Sequence, residues 1–305
     1  MTATWAEGGL THRYVDLADV RLHCVEVGSG PLVVLLHGFP DFWYSWRHQL
    51  PALAAAGFRA VAVDMRGYNL SDKPRGVRAY DSAVVARDVA RLIGALGSGR
   101  AVVVGHDWGG AVAWLVAMRH PEVVERLVIL NAPHPERFLR GLRTLRQLRK
   151  SWYMFFFQLP LLPEASVRAG NFALLRRMLR TDPVRSDAFT ESDIRRYVEA
   201  LSRPGALTAA INYYRTLFRR DPRRALEELR PIEAPVLVIW GERDRYLGAE
   251  LAQPSAAWVP DVRVAPLPDA SHWVHLDRPD RVNALMLDFL AEPYPVTTRT
   301  GSGSS

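Results

Sequence analysis

Residues 102–115 read VVVGHDWGGAVAWL, and the order of these residues decides the fold. Three valines make a β-branched run that stops at Gly105, and a small-residue helical pattern begins after Gly109. A strand that turns sharply into a helix is what a G-x-S-x-G frame builds, its glycines flanking one side chain thrust out above a sheet. Here the frame is Gly105-His106-Asp107-Trp108-Gly109, so a carboxylate stands where serine usually does. Alone, the pattern has a plainer reading, because an aspartate after a strand is often a helix N-cap.

The neighbouring segments extend the strand–helix alternation. PLVVLLHG, FRAVAVDMRG and RLVILNAP are apolar throughout, and helical patterns separate them, which predicts a mostly parallel sheet covered on both faces. HRYVDL and VRLHCVEVG have no helix between them and predict an antiparallel hairpin at one edge. From His134 to Arg230 the β-branched runs give way to Arg, Leu and aromatic residues at helical spacing, a helical insertion. Strands return with APVLVIWGERD and VRVAPLPDASHW, before a last amphipathic helix, RPDRVNALMLDFLAE. The expected organisation is a core of residues 1–133 and 231–293, a helical cap or lid at 134–230 and a flexible tail at 294–305.

Bulk properties narrow the function classes. A chain of 305 residues with 49% hydrophobic content can bury a large core. Its N-terminus lacks a basic region followed by an apolar stretch, and no apolar run approaches the roughly 20 residues a bilayer requires. Cys24 is the single cysteine, which excludes an internal disulfide and a cysteine metal site. A cytoplasmic protein without a membrane span is expected. The net charge of +7 rests almost wholly on arginine. In ERFLRGLRTLRQLRK, the arginines 137, 140, 143, 146 and 149 wind around a helix and read as a solvated surface, so attraction to neither nucleic acid nor a membrane is expected.

Two further residues complete a constellation. WGERDRYLG places Asp244 just past a buried strand, and DASHWVHL places His272 past the next. Separately, Asp244 reads as a surface partner of Arg243 or Arg245, and His272 as a turn cap. Together they give the order nucleophile, acid, histidine, all at the carboxyl ends of strands, as in α/β-hydrolases. In that fold the loop after the third strand, here His37-Gly38-Phe39-Pro40, supplies a backbone N–H facing that of the residue after the nucleophile. Phe39 and Trp108 are therefore the candidate oxyanion-hole donors.

His37 to Pro40, Gly105 to Gly110, WGERD, SHWVHLDRP and the helical insertion together resemble the α/β-hydrolase group that holds epoxide hydrolases and haloalkane dehalogenases. The resemblance covers nearly the whole chain outside the first dozen residues and the tail. It implies the α/β-hydrolase fold with an inserted helical cap, and no cofactor or metal.

Aspartate then acquires a chemical reason. Serine attacking a saturated carbon would form an ether that water does not readily cleave, whereas a carboxylate forms an ester that remains open to hydrolysis. Asp107 is thus expected to displace at carbon, His272 to activate the water that cleaves the ester, and Asp244 to orient His272. An epoxide opens to a strongly basic alkoxide and needs a proton donor, which a tyrosine can be. SWYMFFFQLP and AAINYYRTLF are similar to the two cap segments in which epoxide hydrolases carry such tyrosines, which implies Tyr153 and Tyr214, with Tyr213 as the packing residue and a slip of one exchanging the pair.

The expected function is conversion of a small hydrophobic epoxide and water to a vicinal diol, in a pocket that includes His37, Trp152, Phe157 and Trp273. Haloalkane dehalogenase activity is the alternative, with Trp152 as a second halide donor beside Trp108. A catalytically silent binding module is the reading from another class. The chain is expected to be a monomer or a homodimer.

Overall fold

The computed structural model describes residues 9–219, 221 and 226–293; the expected tail at 294–305 lies outside them. Among the described residues the sheet has eight strands: β1 (Thr11–Asp16), β2 (Arg21–Val27), β3 (Leu32–Leu36), β4 (Arg59–Val63), β5 (Ala101–His106), β6 (Val124–Leu130), β7 (Val236–Gly241) and β8 (Val262–Leu267). They lie in the order β1-β2-β4-β3-β5-β6-β7-β8. The hairpin expected at one edge is present, with Tyr14 opposite His23, and β2 also runs antiparallel to β4. Every other pairing is parallel. β3 and β5 are buried along their whole length, which accounts for unbroken apolar runs in place of alternation.

The core helices are α1 (Gln49–Ala55), α2 (Ser82–Ala95) and α3 (Trp108–Arg119). The chain steps one way from β3 to β4 and the other way from β4 past β3 to β5. Right-handed crossovers therefore send α1 to one face, and α2 and α3 to the other. The reversal lies between β3 and β5, where an open α/β sheet holds its ligands, beyond the carboxyl ends of the strands. The loop after β3 and the turn after β5 carry Phe39 and Asp107 to that point.

Between β6 and β7, strands that pair directly, residues 134–230 contain helices and no strand among the described residues. They are α4 (Pro135–Gly141), α5 (Leu145–Lys150), α6 (Trp152–Phe156), α7 (Leu162–Thr181), α8 (Glu191–Ser202) and α9 (Ala206–Leu217). After β8 come α10 (Val274–Asp277) and α11 (Pro279–Ala291), and α11 packs on α1.

The arginine-rich stretch departs from its expectation of a single helix. It forms α4 and α5, because the chain turns between them and the Thr144 hydroxyl caps a new helix by accepting from the Gln147 N–H. At Gly141 a Cβ would lie 2.7 Å from Leu251, so the first helix ends in close contact with the core. α7 is also interrupted, at Ala169–Phe172, where Gly170, Asn171 and Phe172 have φ of 58°, 55° and 60°.

Candidate active site

Asp107 sits at φ 50°, ψ −119°, a strained backbone for a residue with a side chain. Its neighbours explain how the turn is tolerated. A Cβ on Gly105 would lie 2.4 Å from the Gly109 carbonyl oxygen, and one on Gly109 only 2.1 Å from that of Leu36. The elbow can thus press α3 against β3 and β5, which lifts Asp107 above the sheet edge.

The Phe39 N–H donates to Asp107 Oδ2 at 2.8 Å, so the loop after β3 already grips one carboxylate oxygen. A Cβ on Gly38 would fall 2.3 Å from that same oxygen, which explains the glycine. The other oxygen, Oδ1, lies 3.8 Å from His272 Nε2. Trp108 begins α3, so its backbone N–H is among those the helix itself leaves unbonded.

His272 Nδ1–H donates to Asp244 Oδ2 at 2.7 Å. Asp244 is buried and otherwise saturated: Oδ1 accepts from the Tyr246 and Leu247 N–H groups at 2.7 and 2.9 Å, and Oδ2 also accepts from Asn131 Nδ2 at 2.8 Å. Burial alone would raise its pKa, but His272 and these donors outweigh it and hold the carboxyl below its ordinary value. For His272, burial works toward a lower pKa, and Asp244, followed by Asp107 and Asp41, reverses this and raises it to about 9.

The cap brings both sequence-predicted tyrosines to the same place. Tyr153 and Tyr214 have ring centroids 5.7 Å apart, and Tyr214 packs edge-on to Trp108, Phe157 and Phe39. Burial first, and the acidic groups around them next, keep both phenols protonated, with pKa values well above the ordinary one. Tyr213 points elsewhere: its hydroxyl donates to the Arg66 carbonyl at 2.8 Å in the core.

A cavity of about 210 Å³ lies between core and cap, lined by Asp107, His272, Tyr153, Tyr214, Phe39, Trp152, Phe157 and Trp273, with apolar α7 residues opposite. Its only charged or titratable groups are Asp107, His272, Tyr153, Tyr214 and Tyr246. A second cavity of about 310 Å³ reaches Asp107 from the side of α3 and α4 but is lined by neither tyrosine of the pair nor His272. The first therefore holds the chemistry.

Two expectations change. His37 is not on the cavity wall but fully buried behind it. The Met65 N–H donates to its Nε2 at 3.1 Å, so Nδ1 carries the proton and donates to the Gly38 carbonyl at 2.8 Å. Burial lowers its pKa, and a neutral ring braces the loop that presents Phe39. Trp152 does line the cavity, but at its rim, 64% exposed, whereas Trp108 is 7% exposed.

Residues not singled out in the sequence support the site from behind. Asn131, at φ 42° just past β6, bonds Asp244 and both the N–H and C=O of Gly241. His106 Nε2–H donates to the His272 carbonyl at 2.9 Å, and Trp273 Nε1–H donates to Asp41 Oδ1 at 3.2 Å. Asp41, His106 and His275 are the residues with metal-ligand character that cluster, with ligand atoms within 4.8 Å of one another. That outer spacing exceeds the roughly 3.4 Å between ligands of a zinc tetrahedron with bonds near 2.1 Å. Within the cluster His106 Nδ1 lies 3.3 Å from Asp41 Oδ2.

Comparison with known proteins agrees with this geometry. The profile of the α/β hydrolase fold family matches residues 31–279. The chain is 41% identical over 287 residues to the AB hydrolase superfamily protein YfhM of Bacillus subtilis, covering 92% of this chain and 98% of that protein. It is 38% identical over 289 residues to epoxide hydrolase 2 of Caenorhabditis elegans, covering 92% and 80%. A crystal structure of a variant epoxide hydrolase from Bacillus megaterium superposes with a TM-score of 0.85 at 34% identity, over 92% of this chain and all of the other. Sheet order, elbow and these likenesses along nine tenths of its length make the chain a member of the α/β-hydrolase superfamily and, within it, of the epoxide hydrolase family.

Proposed function

We propose that the protein hydrolyses an apolar epoxide to a vicinal diol through an ester formed on Asp107. The observation that carries this reading is the one cavity that presents a carboxylate, a histidine held by a second carboxylate, and two protonated tyrosines to the same small volume. In the first step Asp107 Oδ1 attacks an epoxide carbon, the C–O bond breaks, and a phenol delivers its proton to the departing oxygen. Tyr153 and Tyr214 both line the cavity, with ring centroids 5.7 Å apart, so either phenol can supply that proton.

In the second step His272 takes a proton from water, the resulting hydroxide attacks the Asp107 carbonyl carbon, and collapse of the tetrahedral intermediate breaks the bond from that carbon to Oδ1. Oδ1 leaves in the diol with the proton held by His272, and the new carboxylic acid returns its proton to the phenolate left by the first step. The Phe39 N–H, already on Oδ2, and the Trp108 N–H stabilise the oxyanion that develops. Esterification also prepares the base. It neutralises the Asp107 anion that faces His272 and helps to raise its pKa, so the imidazole loses its proton more readily when a base is needed.

The cap residues favour an epoxide over a halide. A halide leaving group calls for two buried N–H donors, yet Trp152, the second candidate beside Trp108, lies at the exposed rim. The test is to mix His272→Gln with an aryl epoxide and weigh the intact protein. Addition of the substrate mass, mapped to Asp107, is expected; an unchanged mass with an active wild type refutes the covalent route. Wild-type protein incubated with a bromoalkane is expected to release no bromide.

A further inference from the structure

We propose that the cap is a docking face for an anionic lipid bilayer, from which apolar substrate enters the cavity directly. Charge and apolar surface coincide there. Residues 134–230 carry 20 Lys and Arg against 10 Asp and Glu, a formal +10, and the remainder of the chain is at −3. The positive balance of the molecule thus belongs entirely to the cap.

Of the nine exposed large hydrophobic residues among those described, eight lie in the cap: Tyr14 is the exception. Leu159 and Leu161 lie in the turn between α6 and α7 and Leu162 begins α7, with Leu161 81% exposed at φ 60°. Trp152 and Leu174 are both exposed and part of the cavity lining, so apolar surface continues from the outside of the cap into the site. Arg143, Arg149, Arg168 and Arg177 are exposed on the same cap, Arg149 three residues before Trp152 and Arg168 and Arg177 on α7 with Leu174. An apolar rim with interspersed arginines is the composition by which a protein lies on a membrane interface without crossing it. Substrate delivery rests on the epoxide reading; lipid docking itself does not.

Flotation with vesicles separates these possibilities. The wild type is expected to float with vesicles of phosphatidylcholine and phosphatidylglycerol, to stay behind with phosphatidylcholine alone, and to be released from the mixed vesicles by salt. Leu161→Ser/Leu162→Ser and, separately, Arg143→Glu/Arg149→Glu should each lower the bound fraction about ten-fold. Both variants should keep wild-type thermal unfolding and full turnover of a water-soluble epoxide, and lose rate only on an epoxide dissolved in the mixed vesicles. A wild type that ignores anionic vesicles, or variants that float as well as it does, overturns the proposal. So does light scattering that shows a dimer abolished by Leu161→Ser/Leu162→Ser, which assigns the face to a second copy of the chain. Flotation without turnover of any epoxide refutes the proposed reaction and leaves docking in place.

Discussion

Asp107 is one residue with two proposed duties, as the anion beside His272 and as the bearer of the ester, and each has a measurable trace. As an anion 3.8 Å from His272 Nε2 it favours the imidazolium, so removing the charge must lower the histidine pKa. Asp107→Asn is therefore expected to titrate His272 below the value of about 9 it has in the folded protein, by NMR of the ring protons. The proposed ester intermediate would lose the same anion. Its hydrolysis, followed in a single turnover, should rise with pH and level off with a midpoint below that of the free enzyme. Coincident midpoints would mean that Asp107 does not act on His272. The tyrosines make an independent prediction: Tyr153→Phe/Tyr214→Phe keeps the aromatic packing but not the protons, and should slow epoxide opening about 100-fold or more while leaving unfolding near that of the wild type. Full activity in that variant removes them from the reaction.

At the scale of elements, the elbow works because one helix and two strands approach more closely than any Cβ permits. Gly109→Ala would set a methyl group 2.1 Å from a backbone oxygen of β3, which cannot swing aside. A loss of about 3 kcal/mol or more is expected in denaturant unfolding. Gly94→Ala offers the contrast, since it lies exposed in α2 with nothing within 4 Å of the new methyl group; it should gain about 0.5–1 kcal/mol.

The same elements show what could be read beforehand. Sheet, hairpin, elbow and the order of Asp107, Asp244 and His272 were legible because each leaves a local signal, a period or a turn residue. Tyr214 against Tyr213 was a matter of helix phase, and the neighbouring segments carry it only through likeness to a family. Asn131 and His106 were not legible, because their roles depend on strands and loops that are distant in sequence. His37 misled for a related reason: its place in the loop was visible, but which way the ring turns is set by Met65.

Across the whole molecule, cap and core are stitched together at the site itself. Lys150 Nζ donates to the carbonyl of Asp244, Gln147 Nε2 to that of Tyr246, and Tyr213 to that of Arg66. Further out, the Arg185 N–H donates to Asp277 and the Tyr44 hydroxyl to Asp193. With the large aromatic interface between them, the two parts are expected to unfold together: melts followed by far-UV and near-UV circular dichroism should coincide. A cap that loosens first would appear as an earlier near-UV transition.

The cap leaves the sheet after β6 and returns at β7, two strands that are already hydrogen-bonded to each other. Its ends therefore start and finish side by side, whatever length of chain lies between them. Lineages could lengthen, shorten or rewrite this excursion without moving a rung of the ladder beneath it. Asp107, Asp244 and His272 all lie outside the excursion, and the tyrosines inside. Under the proposed mechanism, the ester chemistry is thus inherited with one part of the gene, and the choice of leaving group is free to evolve with another.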